Sequence, residues 1–174
     1  MNSAIKLIDE LRGSTWKSER DIEDRLVRPL LTSLGWQLSR DNVQVWIPLT
    51  ADKAGLWSYS SGRMCRDYIL GQGIDAIHIE AKHRWSGWRA IDFSEFLDRI
   101  NSDDWIGTGH DGPLKDLALL LWGAAAGSAG RAAVIDDERV LVFRRSPTWQ
   151  VWVQARTFED SPNVVAEALK ALAP

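Results

Sequence analysis

Cys65-Arg66-Asp67-Tyr68-Ile69-Leu70, Gly71-Gln72-Gly73 and Ile74-Asp75-Ala76-Ile77-His78-Ile79-Glu80-Ala81-Lys82-His83 form the stretch on which the fold turns. Its pattern predicts two strands, Arg66 to Leu70 and Ile74 to Lys82, joined by the glycine turn as a hairpin. Side chains alternate along a strand, so Ile77, Ile79 and Ala81 share one face while His78, Glu80 and Lys82 share the other. Asp67 arrives from the neighbouring strand and meets Glu80 and Lys82 at one end of a sheet. Two carboxylates beside an ammonium group can hold a divalent metal and position a water, the minimum equipment for metal-assisted phosphodiester hydrolysis. The spacing Asp-x12-Glu-x-Lys is also that of a half-solvated strand carrying an ordinary surface ion pair. Spacing alone leaves both readings open.

The segment upstream separates them. Ser18-Glu19-Arg20-Asp21-Ile22-Glu23-Asp24-Arg25-Leu26-Val27-Arg28-Pro29-Leu30-Leu31 runs on to Leu34-Gly35-Trp36. Ser18 is a good N-cap, with Asp21 three residues on approximating a capping box. Ile22, Leu26, Val27, Leu30, Leu31 and Leu34 make the apolar stripe of a helix. Pro29 predicts a kink near Arg25, and Gly35 is placed to end the helix. This acidic helix, closing with Pro-Leu-Leu and Leu-Gly-Trp and followed by Asp67 and the Ile79-Glu80-Ala81-Lys82 strand, resembles the N-terminal nuclease domain of type I restriction enzyme R subunits. That domain belongs to the PD-(D/E)XK nuclease superfamily. The resemblance covers roughly residues 18–145.

It implies an α/β fold with a restriction-endonuclease-like core, in which a central mixed sheet of about four strands is flanked by helices on both faces. The first helix would pack beside the catalytic hairpin, and a helix from Leu114 to Ala126 would cover the other face. It also implies that Asp67 and Glu80 ligate Mg²⁺ or Mn²⁺, with the Ile79 or Ala81 carbonyl as a further oxygen. Lys82 would orient or help deprotonate the attacking water and stabilise the transition state. A first-helix glutamate often completes such sites. Glu19 and Glu23 both qualify, four residues apart on one helix face, although the helix dipole alone also favours acidic residues there.

The chain departs from the restriction-subunit pattern twice. Leu114-Lys115-Asp116-Leu117-Ala118-Leu119-Leu120-Leu121-Trp122 lacks the Gln and Tyr motif of that family's next helix, and no helicase motor is present. A stand-alone nuclease, or a module of a restriction or defence system awaiting a separate motor or specificity subunit, fits better than type I restriction itself. A homodimer is a further possibility for its assembly.

Composition sets outer bounds. With 174 residues, 45% hydrophobic and 26% charged, the chain suits one soluble domain spanning 1–174. No apolar run approaches the ~20 residues of a membrane span, and Met1 to Lys6 does not read as a signal peptide. The single cysteine, Cys65, excludes an internal disulfide and Cys-rich zinc sites, and fits a reducing cytoplasm. Cys65 is expected to pack as a small apolar residue. A net charge of −3 argues against a bulk basic surface for nucleic acid.

Local basic residues can still touch DNA. Arg63, Arg66, Lys82, His83, Arg84 and Arg89 cluster along the chain, and His83-Arg84-Trp85-Ser86-Gly87-Trp88-Arg89 interleaves aromatics with cations. Arg66, His83, Arg84, Trp85, Trp88 and Arg89 are therefore the candidate nucleic-acid contacts, with sheet capping and a subunit contact as rivals for the two tryptophans. Trp36, Trp46 and Trp122, among ten tryptophans, sit in apolar patterns and are expected in the core.

Elsewhere the pattern predicts a helix over residues 3–12 and a strand from Val43 to Ile47. A loop or long hairpin follows from Ala51 to Gly62. A helix from Ile91 to Ile100 precedes a polar loop from Asn101 to Pro113. A hairpin pairs Ala132 to Ile135 with Val140 to Phe143, and Trp149 to Gln154 adds an edge strand. A last helix starts at Asp160 or Ser161 and ends near Leu172. Asp75 reads as a turn or strand-start residue and His78 as a polar strand residue. Gly107-Thr108-Gly109 lacks a following lysine, which excludes a phosphate-binding loop of the Walker type. Two other functions share these features: a binding module that touches DNA or a partner without cutting, and an assembly protein whose tryptophans build an oligomer interface.

Overall fold

The computed structural model describes residues 1–48, 63–83, 92–102 and 113–174. Helix α1 spans Asn2–Leu11 and is followed by Gly13 at φ +78°. The acidic helix begins as expected. Ser18 accepts the Asp21 N–H at 3.2 Å, while Asp21 Oδ2 reaches back to the Lys17 N–H at 3.1 Å, so two end donors are satisfied reciprocally.

Pro29 acts at the place expected, near Arg25. There the helix runs as α2 (Glu19–Ile22), a π-helical turn (Glu23–Val27) and α3 (Arg28–Ser33). The Arg28 N–H bonds the Glu23 carbonyl five residues back. The wider turn falls where the proline ring would otherwise meet the Arg25 carbonyl and absorbs the misfit. Gly35, at φ +107°, then closes a Schellman end, with Trp36 N–H on Leu31 O at 3.1 Å and Gly35 N–H on Thr32 O at 3.0 Å.

Six strands form one mixed sheet in the order β1 (Val43–Pro48), β2 (Arg63–Leu70), β3 (Ile77–Ala81), β4 (Arg131–Ile135), β5 (Arg139–Arg145) and β6 (Trp149–Arg156). All neighbours are antiparallel except β3 and β4, which are parallel. A parallel pair needs a crossover, and α4 (Phe93–Asn101) and α5 (Pro113–Ala126) lie in it. Asp92 caps α4 by accepting the Ser94 N–H at 2.9 Å. Helix α6 (Pro162–Leu172) closes the chain with Pro162 in its first turn.

Two expectations change. The sheet has six strands instead of about four, because the second hairpin and β6 join it. Ile74 and Asp75 belong to a 3-10 turn over Gly73–Asp75, so β3 begins at Ile77. Cys65 is half-buried. The Ala51 to Gly62 segment and most of the Asn101 to Pro113 segment lie outside the described residues.

Neighbouring residues of β4 and β5 alternate between two apolar clusters. Ala133, Ile135, Val140 and Val142 join Ile77, Ile79 and Ala81 with residues of α1, the π turn, α3 and α6. Ala132, Val134, Leu141 and Phe143 join Phe96 and Leu97 of α4 and Leu117 to Leu121 of α5. Trp36 packs against the first cluster and donates its indole N–H to Leu172 O at 2.8 Å, while Trp122 packs against the second. Trp149, read only as strand from sequence, is buried in the second cluster.

Strand β6 lies at one edge of the sheet, and side chains close both ends of it. Asn101 accepts the Trp149 N–H at 2.8 Å and donates to the Trp149 carbonyl at 3.0 Å, while Asp160 accepts the Arg156 N–H at 2.7 Å. Trp152 falls at a register shift, unmatched between Val151 and Val153. Bulges and capped ends protect an edge from pairing with another chain.

Candidate functional site

Strand β3 is buried on both sides over most of its length. Ile77, Ile79 and Ala81 are fully covered, and His78 on the opposite face is also buried, so β3 is not a half-solvated strand. Glu80 emerges only where the strand ends. The Lys82 N–H bonds the Ile135 carbonyl at 3.0 Å, extending the parallel ladder one residue and fixing the lysine backbone.

The β2–β3 ladder pairs Leu70 with Ile77, Ile69 with His78 and Tyr68 with Ile79. Beyond that the Ala81 N–H bonds Asp67 Oδ2 at 2.6 Å, so a side chain takes the place of a strand carbonyl. The opening this leaves is filled by charge. Arg66 Nη1 sits 3.1 Å from Glu80 Oε2, and Lys82 Nζ sits 2.8 Å from Glu80 Oε1. Glu19 of α2 approaches Lys82 at 3.7 Å, and Asp116 of α5 approaches it at 4.0 Å.

Asp67, Glu80, Lys82 and Glu19 are thus gathered at one end of the sheet. Glu23 lies one helical turn from Glu19 but points elsewhere. It is buried, 3.5 Å from the Tyr68 hydroxyl and 3.6 Å from Arg28, whose guanidinium lies over the Tyr68 ring. Of the two helix glutamates, Glu19 is the one at Lys82. Asp116 was not singled out by sequence. Its signal was a lone acid in the first turn of an apolar helix, which resembles an ordinary dipole-favoured residue.

Arg66, expected as a nucleic-acid contact, is 1% exposed and turned inward onto Glu80. A buried guanidinium on a carboxylate is not a surface contact, so that expectation is corrected. His83 is half-buried beside Lys82. Arg84, Trp85, Trp88 and Arg89 lie outside the described residues, as does the lysine-free Gly107-Thr108-Gly109 segment.

The electrostatics follow from burial. Asp67 is pushed up to about 7, first by desolvation and then by the Glu80 charge, against the Ala81 hydrogen bond. Desolvation raises Glu19 and Asp116 as well, partly opposed by Lys82. Burial alone would lower Lys82, but the charge and hydrogen bond of Glu80, with Glu19 and Asp116, overcome it and hold the ammonium above its ordinary value. Lys82 is therefore a firm cation as placed, suited to stabilising negative charge more than to accepting a proton.

Among the described residues, the carboxyl groups of Glu19, Asp67, Glu80 and Asp116 outnumber the cations Arg66 and Lys82 beside them, so the cluster is short of positive charge. Hard oxygen donors with that deficit fit a hard divalent cation in charge and chemistry. Their present orientation is different. Among the described residues, no three His, Cys, Asp or Glu side chains stand grouped to hold one ion, and both Glu80 oxygens face cations.

Comparison of the chain with protein-family models, with curated proteins and with solved structures found no match. Among the described residues no helix is long and apolar enough to cross a membrane.

Proposed function

We propose that the chain is a metal-dependent nuclease of restriction-endonuclease-like fold that hydrolyses phosphodiester bonds in DNA. The observation that carries this reading is the convergence of Asp67, Glu80, Lys82 and Glu19 where β2 parts from β3. The layout of the molecule supports it too. A mixed sheet holds the catalytic hairpin, with α1 to α3 and α6 in one apolar cluster and α4 and α5 in the other, as expected for helices on both faces.

Asp67 and Glu80 would hold Mg²⁺ or Mn²⁺, which supplies a Lewis acid for the phosphate oxygens and a more acidic water. The remaining work belongs to the chain. Lys82, fixed by its backbone bond to Ile135 and held as a cation, places positive charge where the phosphate gains negative charge. Glu19 stands 3.7 Å from Lys82 Nζ and orients it from the helix side. The Ala81 N–H fixes Asp67 by its Oδ2 oxygen. A role in restriction or defence, cytoplasmic residence and a homodimer or motor partner belong to the same proposal. Its two capped ends make the β6 edge a poor place for such a dimer to form by strand addition.

One observation favours a second reading. Glu80 already has a cation on each oxygen, which would suit a binding module whose site is a structural ion network. Cleavage of labelled single-stranded, duplex and supercoiled DNA with Mg²⁺ or Mn²⁺, beside an EDTA control, decides between them. Metal-dependent cutting supports the nuclease, and inactivity on all three substrates supports the binding module.

A further inference from the structure

Arg66 has no part in the expected catalytic set, yet it is among the most deeply buried side chains of the protein. It precedes Asp67 by one residue, and its guanidinium lies 3.1 Å from Glu80 Oε2 while Lys82 takes Oε1. A guanidinium at such depth is tolerated because it meets a carboxylate, and breaking such a pair leaves a buried charge uncompensated. The same contact opposes metal binding. The guanidinium takes up one lone pair of Glu80 Oε2 and places a positive charge beside the carboxylate that would receive a divalent cation.

We propose that Arg66 is a positioning residue that sets the metal affinity of the site: its hydrogen bond holds Glu80 in the present orientation and its charge opposes the loading of a divalent cation. This inference rests on the metal-dependent reading above. Without the Arg66 charge the cluster attracts the ion more strongly. A unit charge a few ångströms away in a partly buried site changes such an affinity by about tenfold or more. Lysine at this position keeps the charge but lacks the planar fork, so it resists loading as a point charge only.

The test is Mn²⁺ titration of the full chain by calorimetry, for the wild type, Arg66→Gln and Arg66→Lys, with folding checked by circular dichroism. The expected result is affinity about tenfold or more tighter in Arg66→Gln and near wild type in Arg66→Lys. Unchanged or weaker binding in a folded Arg66→Gln overturns the proposal while leaving the metal-dependent reading in place. Absence of Mn²⁺ binding in every folded form overturns both. Because Arg66→Gln is exposed to misfolding, a second readout uses the wild type alone. The ¹⁵N signal of the Arg66 guanidinium, assigned by its loss in Arg66→Lys, is followed while Mg²⁺ is added. A movement of that signal that saturates with Mg²⁺ supports the coupling of Arg66 to metal loading through Glu80. A signal that stays in place at saturating Mg²⁺ overturns the proposal.

Discussion

Asp67 completes the β2–β3 ladder with its side chain, accepting the Ala81 N–H on Oδ2 at 2.6 Å where backbone pairing stops at Tyr68 and Ile79. One carboxylate therefore serves both the sheet and the site. Asp67→Ala leaves the Ala81 N–H without its acceptor and should cost about 1–3 kcal/mol in urea denaturation. Asp67→Asn keeps an acceptor oxygen and should stay within about 1 kcal/mol of wild type. Both should lose DNA cleavage. A loss of activity confined to the unstable alanine variant would assign Asp67 to structure alone.

The two glutamates of the first helix should separate cleanly. Glu19 stands at Lys82 and is partly exposed, so Glu19→Gln should lower cleavage by about 10²-fold with little change in melting temperature. Glu23 is buried between the Tyr68 hydroxyl and Arg28, so Glu23→Ala should destabilise by about 2–4 kcal/mol. Side-by-side rates and melting curves check this. A Glu19 variant that cuts normally would remove that residue from the site.

Gly130 has its N–H on the Ile74 carbonyl at 3.0 Å, and a Cβ there would collide with that carbonyl oxygen. The nearest obstacle is backbone, which cannot swing aside as a side chain can. Gly130→Ala should cost about 3 kcal/mol or more. At Gly127 a Cβ would meet His78 Nε2 at 3.2 Å, a side chain with some freedom, so Gly127→Ala should cost about 1–2 kcal/mol. Thermal melts should rank the two in that order.

Much of the fold could be read from pattern. Strand β1, both hairpins and the terminal helices follow from apolar periodicity, and the helix ends follow from Ser18 and Gly35, whose geometry is local. Features set by distant neighbours could not be read. Pro29 signals a fault in a helix but not that a π turn absorbs it. Arg66 looks like any strand arginine until Glu80 is placed beside it. Asp116 joins the cluster only through the crossover between β3 and β4, some 34 residues along the chain from Lys82, a separation that no spacing rule spans. The triad of Asp67, Glu80 and Lys82 was legible because one short hairpin carries all of it.

Asp136 supplies a test of pH dependence away from the site. It is buried in the β4–β5 turn, where its Oδ1 accepts the Glu138 and Arg139 N–H groups at 2.8 and 2.6 Å. Burial raises it from 3.8 to about 6, with Asp137 adding to the rise and the two hydrogen bonds and the Arg139 charge opposing it. A carboxyl raised on folding binds its proton more tightly folded than unfolded. Its contribution is therefore fully present below the unfolded value and lost as pH climbs through the folded one. Between pH 4 and about 6 this group should remove on the order of 2–3 kcal/mol. Asp136→Asn keeps the acceptor oxygen and removes the slope. Urea denaturation from pH 4 to 7.5 should show the variant gaining on wild type as pH rises, and a constant difference would contradict the assignment.

The most direct test of the account is the rate of supercoiled plasmid nicking in Mg²⁺ by wild type and by Lys82→Met, at matched DNA binding. Lys82→Met leaves Glu80 its Arg66 partner, so the fold should survive. The account predicts metal-dependent nicking by wild type, reduced at least ~10²-fold in the variant with DNA binding unchanged. Equal nicking by the two proteins, or none by wild type, would contradict it.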